Sequence, residues 1–274
     1  MNKNFILILT FFPAPPSSRG KSLNLHCTLL IAMCGIFCSI SRHSRVGPSP
    51  DVLERLLARG PDSTGRVEQT YTVPEAADEP AFHLTFASTV LSLRGSKTIT
   101  QPYQDPHGTA TLCWNGEAWS IAGKNAFAND TQAVHDLLSN ATSSAVNSTD
   151  AQGEHEGIVA RRLASIAGPY AFVFYDSVKG KLYFGRDFLG RRSLLWNIGH
   201  NGELLLSSVT SGSMLGSWTE VEADGIYCLD LSHQSEYVQA ERLGDFAVDK
   251  TPYFFAADTK TNNIYSVGAS KCRP

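Results

Sequence analysis

The sequence predicts an α+β protein in which two mainly antiparallel β-sheets pack together and helices cover their outer faces. Many short β-prone segments follow one another with turn signals between them, as in an antiparallel sheet. The helical segments are few and do not alternate one by one with the strands, which disfavours a parallel α/β fold. With 274 residues, 42% hydrophobic and 10% aromatic content, the chain has material for a sizeable core.

Local signals place the first elements. The apolar run from Cys34 to Ile40 predicts a core strand. A helix follows, with Ser49 as N-cap, Pro50 at its first position and Gly60 at its end. The next loop, 59–65, has two glycines and a proline, which indicates a tight backbone. Further strands are predicted at 66–73 and 82–93.

Two features of the middle region have common structural explanations. A strand from Thr109 to Trp114 ends at Asn115-Gly116, a pair typical of hairpin turns. Asp130 stands where a helix N-cap would stand. An exposed loop is expected over 139–157, followed by a helix over 155–167. The remaining predicted strands are at 169–176, 182–184, 193–199, 203–209 and 225–231, and residues 236–274 are expected to be an irregular tail.

Charge and cysteine usage limit the partners and the compartment. A net charge of −3 without a basic patch gives no indication of a nucleic-acid partner. The cysteines lack metal-site spacing, which favours reduced thiols in the cytoplasm; they are Cys27, Cys34, Cys38, Cys113, Cys228 and Cys272. The apolar run at 5–12 resembles a signal peptide and is too short to cross a membrane. Residues 1–33 are therefore interpreted as an extension that is disordered, cleaved off, or absent because translation begins at Met33.

Six motifs occur in a fixed order along the chain. They are Met33-Cys34-Gly35-Ile36-Phe37, Arg59-Gly60-Pro61-Asp62-Ser63-Thr64-Gly65, Trp114-Asn115-Gly116-Glu117, Asp130-Thr131, Ala171-Phe172 with Tyr175-Asp176, and Arg186-Asp187-Phe188-Leu189-Gly190. Over 34–235 this series resembles the class II glutamine amidotransferase domain of glutamine-hydrolysing asparagine synthetases. The resemblance implies the αββα sandwich of N-terminal nucleophile hydrolases and hydrolysis of the glutamine side-chain amide to glutamate and ammonia.

The resemblance also implies roles for single residues. Cys34 would attack the amide carbon, with its own α-amine as the base, so it would have to be the first residue of the active chain. The Asn115 side chain and the Gly116 N–H would hold the oxyanion. Asp130 would pair with the substrate ammonium, and Arg59 and Glu117 would complete the substrate-binding set, Arg59 by shaping the loop beside Cys34. The alternative for Cys34 is a buried cysteine that opens a core strand.

One departure from the family concerns the substrate carboxylate. Family members place an arginine on this carboxylate in a motif that reads roughly His-Glu-Arg-Leu-Ser-Ile. Here the matching stretch is Ser88-Thr89-Val90-Leu91-Ser92-Leu93, so Val90 stands at the arginine position. Valine cannot form the bidentate pair. Whether Arg94, four residues on, reaches back is left open by the sequence.

A second departure is that no Ser-Gly-Gly-x-Asp-Ser loop for ATP is present in the sequence. No cofactor is therefore expected in this chain, because ATP and Mg²⁺ would belong to a synthetase domain supplied in cis or in trans for asparagine biosynthesis. A catalytically silent binding or scaffold module that kept the fold remains the alternative. A glutaminase of purine or glucosamine biosynthesis is disfavoured, because Arg-Gly-Pro-Asp followed by Arg-Asp-x-x-Gly is typical of the synthetases.

Overall fold

The described part of the chain forms three helices and eighteen strands. The computed structural model describes residues 33–73, 81–95, 97–125, 129–144, 153–211, 218–232, 241–243, 246–252, 254–257 and 264–267. The predicted extension up to residue 32 and much of the predicted tail lie outside these ranges. The helices are α1 (Pro50–Arg59), α2 (Asp130–Ser144) and α3 (Gly153–Ala164). The strands are β1 (Gly35–Ser41), β2 (Ser63–Tyr71), β3 (Phe82–Val90), β4 (Tyr103–Gln104), β5 (Ala110–Gly116), β6 (Ser120–Ile121), β7 (Lys124–Asn125), β8 (Ile166–Ala167), β9 (Tyr170–Asp176), β10 (Lys181–Arg186), β11 (Leu195–Ile198), β12 (Leu204–Ser207), β13 (Thr219–Glu220), β14 (Gly225–Asp230), β15 (Glu241–Leu243), β16 (Phe246–Pro252), β17 (Phe254–Ala257) and β18 (Ile264–Val267).

Two large sheets form the centre of the molecule. The first has the strand order β13-β11-β12-β1-β3-β2 and the second β15-β16-β14-β10-β9-β5-β4. Neighbouring strands in both sheets are antiparallel. β1 lies inside the first sheet, between β12 and β3, and each of its residues is buried.

Three apolar clusters show how the layers stack. The largest lies between the sheets and joins residues such as Ile36 of β1 and Phe86 of β3 to Val173 of β9. A second packs α2 and α3 against the outer face of the second sheet. The third packs Val52 and Leu56 of α1 against the outer face of the first sheet. The order helix, sheet, sheet, helix confirms the predicted α+β sandwich.

The predicted first helix is also confirmed. Ser49 is the N-cap of α1, and its side chain accepts a hydrogen bond from the Val52 N–H. Pro50 is the first helical residue, and the Gly60 N–H donates to the Leu56 carbonyl at 3.1 Å as the helix ends. No helix among the described residues is long and apolar enough to cross a bilayer.

Three local predictions are wrong. Asn115 and Gly116 do not form a hairpin turn, because strand pairing with Ala171 and Tyr170 of β9 keeps them extended. The predicted loop over 139–157 begins too early, because Ala141 of α2 packs into the second cluster and the helix continues to Ser144. The region after 235 is not wholly irregular: β16 pairs with β14 and extends the second sheet.

Candidate active site

Cys34 lies immediately before β1, at a cleft formed where several elements end. Counting the space open to solvent, this cleft encloses about 520 Å³. The ends of β3 and β5, the start of α2 and the loop before β11 surround it. The predicted site residues that line it are Cys34, Asn115, Gly116, Glu117 and Asp130. Arg59 is not among the described lining residues.

Two glycines allow α1 to end directly beside Cys34. A Cβ on Gly35 would lie 2.4 Å from the Thr89 hydroxyl oxygen, and a Cβ on Gly60 would lie 2.5 Å from the Thr89 carbonyl carbon. Any larger residue would therefore push the helix end away from β3. The close approach places the Arg59 carbonyl oxygen 3.0 Å from the backbone nitrogen of Met33, which donates to it.

The Cys34 thiol lies in a partly buried and electrostatically mixed environment. Its sulfur lies 3.7 Å from the Leu91 carbonyl oxygen. Burial raises the pKa of Cys34 and the Asp130 carboxylate raises it further, while the Leu91 backbone and the guanidinium groups of Arg192 and Arg59 lower it. The net effect is a raised pKa, so the thiol is mostly protonated near neutral pH and needs a base to become a nucleophile.

Arg59 lies behind Asn115 and fixes the orientation of its amide. Asn115 is 1% exposed. The amide orientation that satisfies both neighbours accepts from Arg59 Nη2 at 3.3 Å and donates from Nδ2 to the Cys34 carbonyl oxygen at 3.3 Å. Arg59 Nη1 also donates to the Ser193 hydroxyl and the Ser208 carbonyl, both at 3.2 Å. Arg59 thus contacts Asn115 beside the nucleophile, and its membership of the substrate-binding set stays a prediction.

Gly116 presents its N–H on the open edge of β5. Successive N–H groups of a strand point to opposite edges. The Trp114 N–H donates to the Gln101 side chain at 2.6 Å, on the edge away from β9, whereas the Glu117 N–H donates at 2.9 Å to a carbonyl next to β9. The Gly116 N–H must then face the same edge as that of Trp114, which is the cleft. It lies one residue from the Asn115 amide, so the cleft has two neighbouring N–H donors.

The Asp130 carboxylate is turned towards the cleft and not towards its own helix. Its Oδ2 accepts from the Ala118 N–H at 2.7 Å and from Trp114 Nε1 at 3.2 Å. The Asn129 side chain, in contrast, accepts from the Thr131 N–H in the first turn of α2. Burial raises the pKa of the Asp130 carboxyl, and its hydrogen bonds and Arg94 oppose that shift. The capping interpretation of Asp130 is therefore wrong, since Asn129 supplies that acceptor.

Two arginines complete the charge distribution of the cleft. Arg94 donates to the Ala118 carbonyl oxygen at 3.0 Å and to Glu117 Oε2 at 3.3 Å. Arg192 Nη2 lies 4.0 Å from Glu117 Oε1. Val90, at the position where the resembled family has arginine, lines the same cleft and is 4% exposed.

Arg192 was not identified from the sequence, although it lies only two positions after the last motif. Its placement depends on Asp187, which is 1% exposed and accepts from the Tyr170, Leu189 and Arg191 backbone N–H groups at 3.1–3.2 Å. Arg186 braces the same loop by donating from Nε to the Arg192 carbonyl oxygen at 2.7 Å. The Arg-Asp pair of the motif thus signals a shaped loop, and only the fold shows that its end reaches the cleft.

Within the described residues, His, Cys, Asp and Glu side chains form no group of three or more that could hold a metal ion. The polar side chains of the cleft include one thiol, three amides, two hydroxyls, two carboxylates and two guanidinium groups. Such a set can attack a carbonyl, bind the resulting oxyanion and recognise a zwitterion.

Comparison with known proteins gives the same family over most of the chain. A family model described as a glutamine amidotransferase domain matches residues 33–240. Asparagine synthetase domain-containing protein 1 of Homo sapiens is 35% identical over 206 residues, which are 73% of this chain and 28% of that protein. The proteins of the same name from Mus musculus and Gallus gallus are 34% and 32% identical over 206 residues, each 73% of this chain and 29% of theirs. The chain thus matches less than a third of the length of these relatives.

The comparison with solved structures gives matches at low sequence identity. The allosteric regulatory enzyme of purine biosynthesis is 16% identical, with a TM-score of 0.48 over 79% of this chain and 49% of that chain. Glutamine phosphoribosylpyrophosphate amidotransferase from B. subtilis is 15% identical, with a TM-score of 0.43 over 80% of this chain and 49% of that chain.

Proposed function

The chain belongs to the glutamine amidotransferase domain family, and on this premise we propose that it hydrolyses the side-chain amide of glutamine to glutamate and ammonia. The family match confirms the resemblance seen in the motifs. The observation that supports the activity most directly is the convergence of Cys34, Asn115, Gly116 and Asp130 on one cleft, although they are up to 96 positions apart in the chain. A thiol beside two oxyanion donors and an ammonium-binding carboxylate matches the chemistry of an amide that belongs to an amino acid.

The first step is attack of the Cys34 sulfur on the amide carbon. The thiol proton passes to the Cys34 α-amine, whose ordinary pKa near 8 suits a base. Asn115 Nδ2 and the Gly116 N–H bind the oxyanion of the tetrahedral intermediate. The C–N bond then breaks, ammonia leaves with the proton held by the amine, and a γ-glutamyl thioester remains. Water attacks the thioester, which releases glutamate and restores the thiol.

This mechanism requires that Cys34 has a free amine. In the structure Cys34 is joined to Met33, whose backbone N–H donates to the Arg59 carbonyl oxygen and whose side chain lines the cleft. An amide nitrogen cannot accept the thiol proton. We therefore propose that the active form begins at Cys34, after removal of every residue up to and including Met33.

The ammonia would be used by a synthetase domain, in cis or in trans, for asparagine formation. This part of the proposal is supported by the relatives, which are asparagine synthetase domain-containing proteins much longer than the matched segment. We place the protein in the cytoplasm, because the described cysteines Cys34, Cys38, Cys113 and Cys228 are all free thiols, as is usual in a reducing compartment.

A catalytically silent module is the second candidate, and Val90 is the observation that favours it. A chain that starts at Met33 tests the two candidates after mass spectrometry has shown that Cys34 is terminal. We expect glutamate release from glutamine, abolished by Cys34→Ala and retained by the control Cys228→Ala, whose thiol is buried in β14 far from the motif residues in sequence. The chain that starts at Met1 and keeps all 33 preceding residues should be inactive. A correctly processed protein without turnover would establish the silent module instead.

A further inference from the structure

The cleft contains an arginine that the family resemblance does not assign to the substrate. The family arginine position is taken by Val90, whose side chain is apolar and 4% exposed, so it provides no cation. Arg94 lies beyond the end of β3 and lines the same cleft. Its side chain is 26% exposed, so the guanidinium is partly shielded from water while still reachable by a ligand.

Arg94 is held on the cleft wall by the residues next to the oxyanion pair. Its Nη1 donates to the Ala118 carbonyl oxygen at 3.0 Å, and the N–H of the same residue donates to Asp130 at 2.7 Å. The backbone of Ala118 thus contacts both side chains, because its carbonyl oxygen binds Arg94 and its N–H binds Asp130. The two side chains are close enough that Arg94 lowers the pKa of Asp130 against the effect of burial.

The second arginine of the cleft, Arg192, approaches the other oxygen of the same Glu117 carboxylate, with 4.0 Å between Nη2 and Oε1. Arg192 lowers the pKa of the Cys34 thiol, whereas Arg94 lowers that of the Asp130 carboxyl. Of the two cations, Arg94 is the one joined to the ammonium-binding carboxylate through Ala118. An α-amino acid has its ammonium and carboxylate on one carbon, and in glutamine the reacting amide carbon lies two methylene groups away. A carboxylate whose ammonium is bound to Asp130 is therefore expected close to Arg94.

A resident carboxylate already occupies the neighbourhood of Arg94. Glu117 Oε2 lies 3.3 Å from Arg94 Nη2, which is longer than the 2.7–2.9 Å of a tight charge-assisted bond. Its side chain is 29% exposed. Because this pair is loose and partly exposed to solvent, the Arg94 guanidinium can bind a second carboxylate together with Glu117 or in place of it.

We propose that Arg94 binds the α-carboxylate of the substrate and so replaces the missing family arginine as the specificity determinant for α-amino acids. The inference rests on the proposed function, because it names the group that recognises glutamine in that reaction. It assigns Arg94 to substrate binding and leaves the attack on the amide to Cys34 and the oxyanion pair.

The test compares two amides that differ only in the α-carboxylate, glutamine and 4-aminobutanamide, in the processed chain with ammonia release as readout. Arg94→Gln should lower kcat/KM for glutamine by about 10–100-fold, the usual effect of one hydrogen bond to a charged group, mainly through KM. For 4-aminobutanamide the same variant should change kcat/KM less than about threefold, because no carboxylate is present to lose its partner.

Three further variants act as controls. Arg192→Gln should affect both amides alike, since Arg192 lowers the pKa of the thiol that attacks either amide. Arg66→Gln removes an exposed arginine paired with Glu68 and should affect neither. Val90→Arg in the Arg94→Gln background should recover part of the glutamine activity by offering a guanidinium at the family position. Thermal unfolding of each variant shows whether it is folded. If Arg94→Gln is not folded, Arg94→Lys replaces it, with an expected loss of glutamine activity that is smaller but equally selective.

The two possible failures are distinguishable. If the wild type hydrolyses glutamine but Arg94 variants lose equal activity on both amides, Arg94 is only a structural partner of Glu117 and the inference is overturned while the function stands. The second failure has two parts: the processed wild type does not hydrolyse glutamine, and calorimetry detects no glutamine binding to the Cys34→Ala variant. The proposed function then fails, and the inference fails with it.

Discussion

Replacing Arg59 by alanine tests whether this side chain acts on catalysis through Asn115. The change removes the guanidinium, which donates to the Ser193 hydroxyl, the Ser208 carbonyl and the Asn115 amide oxygen. Without that donor the amide is free to turn its oxygen towards the oxyanion, so one of the two donors is lost. Loss of one oxyanion donor lowers kcat by about 10²–10³-fold. The buried Asn115 amide oxygen, which loses this donor, should also lower the free energy of unfolding by about 1–3 kcal/mol.

The assay is a double-mutant cycle on the processed chain. Arg59→Ala and Asn115→Ala should each lower kcat by a similar factor with little change in KM for glutamine, and the double variant should be hardly slower than Asn115→Ala alone. Arg66→Ala is the matched control, since it removes a surface arginine of β2. The reasoning is refuted if the two losses multiply in the double variant, or if Arg59→Ala raises KM and leaves kcat unchanged, because Arg59 would then bind substrate directly.

Three other predictions concern the packing, the nucleophile and the ammonium site. Gly60→Ala should lower the free energy of unfolding in urea by about 1–3 kcal/mol, because the new Cβ overlaps the backbone of β3. Arg192→Gln should move the pH midpoint of Cys34 alkylation by iodoacetamide upward, since removing a positive charge raises the thiol pKa; a midpoint that stays or falls contradicts this. Asp130→Asn should raise KM for glutamine by about 10–100-fold, the effect of losing one charged partner, with kcat much less affected; equal effects on both constants would argue against an ammonium site.

The sequence identified elements whose signals are local. α1 is an example, because its N-cap, its first proline and its final glycine all lie within twelve positions of one another. Asn115-Gly116 shows the limit of such signals. The pair has the intrinsic preference of a hairpin turn, yet seven consecutive partners in β9 hold β5 extended through it. Cross-strand pairing depends on residues more than fifty positions away, so turn propensity alone could not decide the outcome.

The site was predictable as a set of residues and not as an arrangement. The motif positions Cys34, Asn115 and Asp130 do reach one cleft, but their roles depend on distances that no spacing rule contains. Arg59 belongs to a motif and yet contacts Asn115 from behind, whereas Arg192 belongs to none of the quoted motifs and lines the cleft. Arginine can reach far from its backbone, so the position of its charge follows from the fold and not from its place in the sequence.

Removal of Met33 would do more than supply an α-amine as the base for the Cys34 thiol. The Met33 backbone N–H donates to the Arg59 carbonyl oxygen, and its sulfur accepts from Arg192 Nη1. With Met33 gone, the Cys34 amide nitrogen becomes a free α-amine. Arg192 at the same time loses its contact with the Met33 sulfur. Arg192 lowers the Cys34 pKa, so its release towards the sulfur would favour the thiolate at the moment when a base becomes available. The same cut would thus supply the proton acceptor and remove one contact of Arg192, which is a physical reason, beyond the missing amine, to expect that the chain with Met33 is inactive.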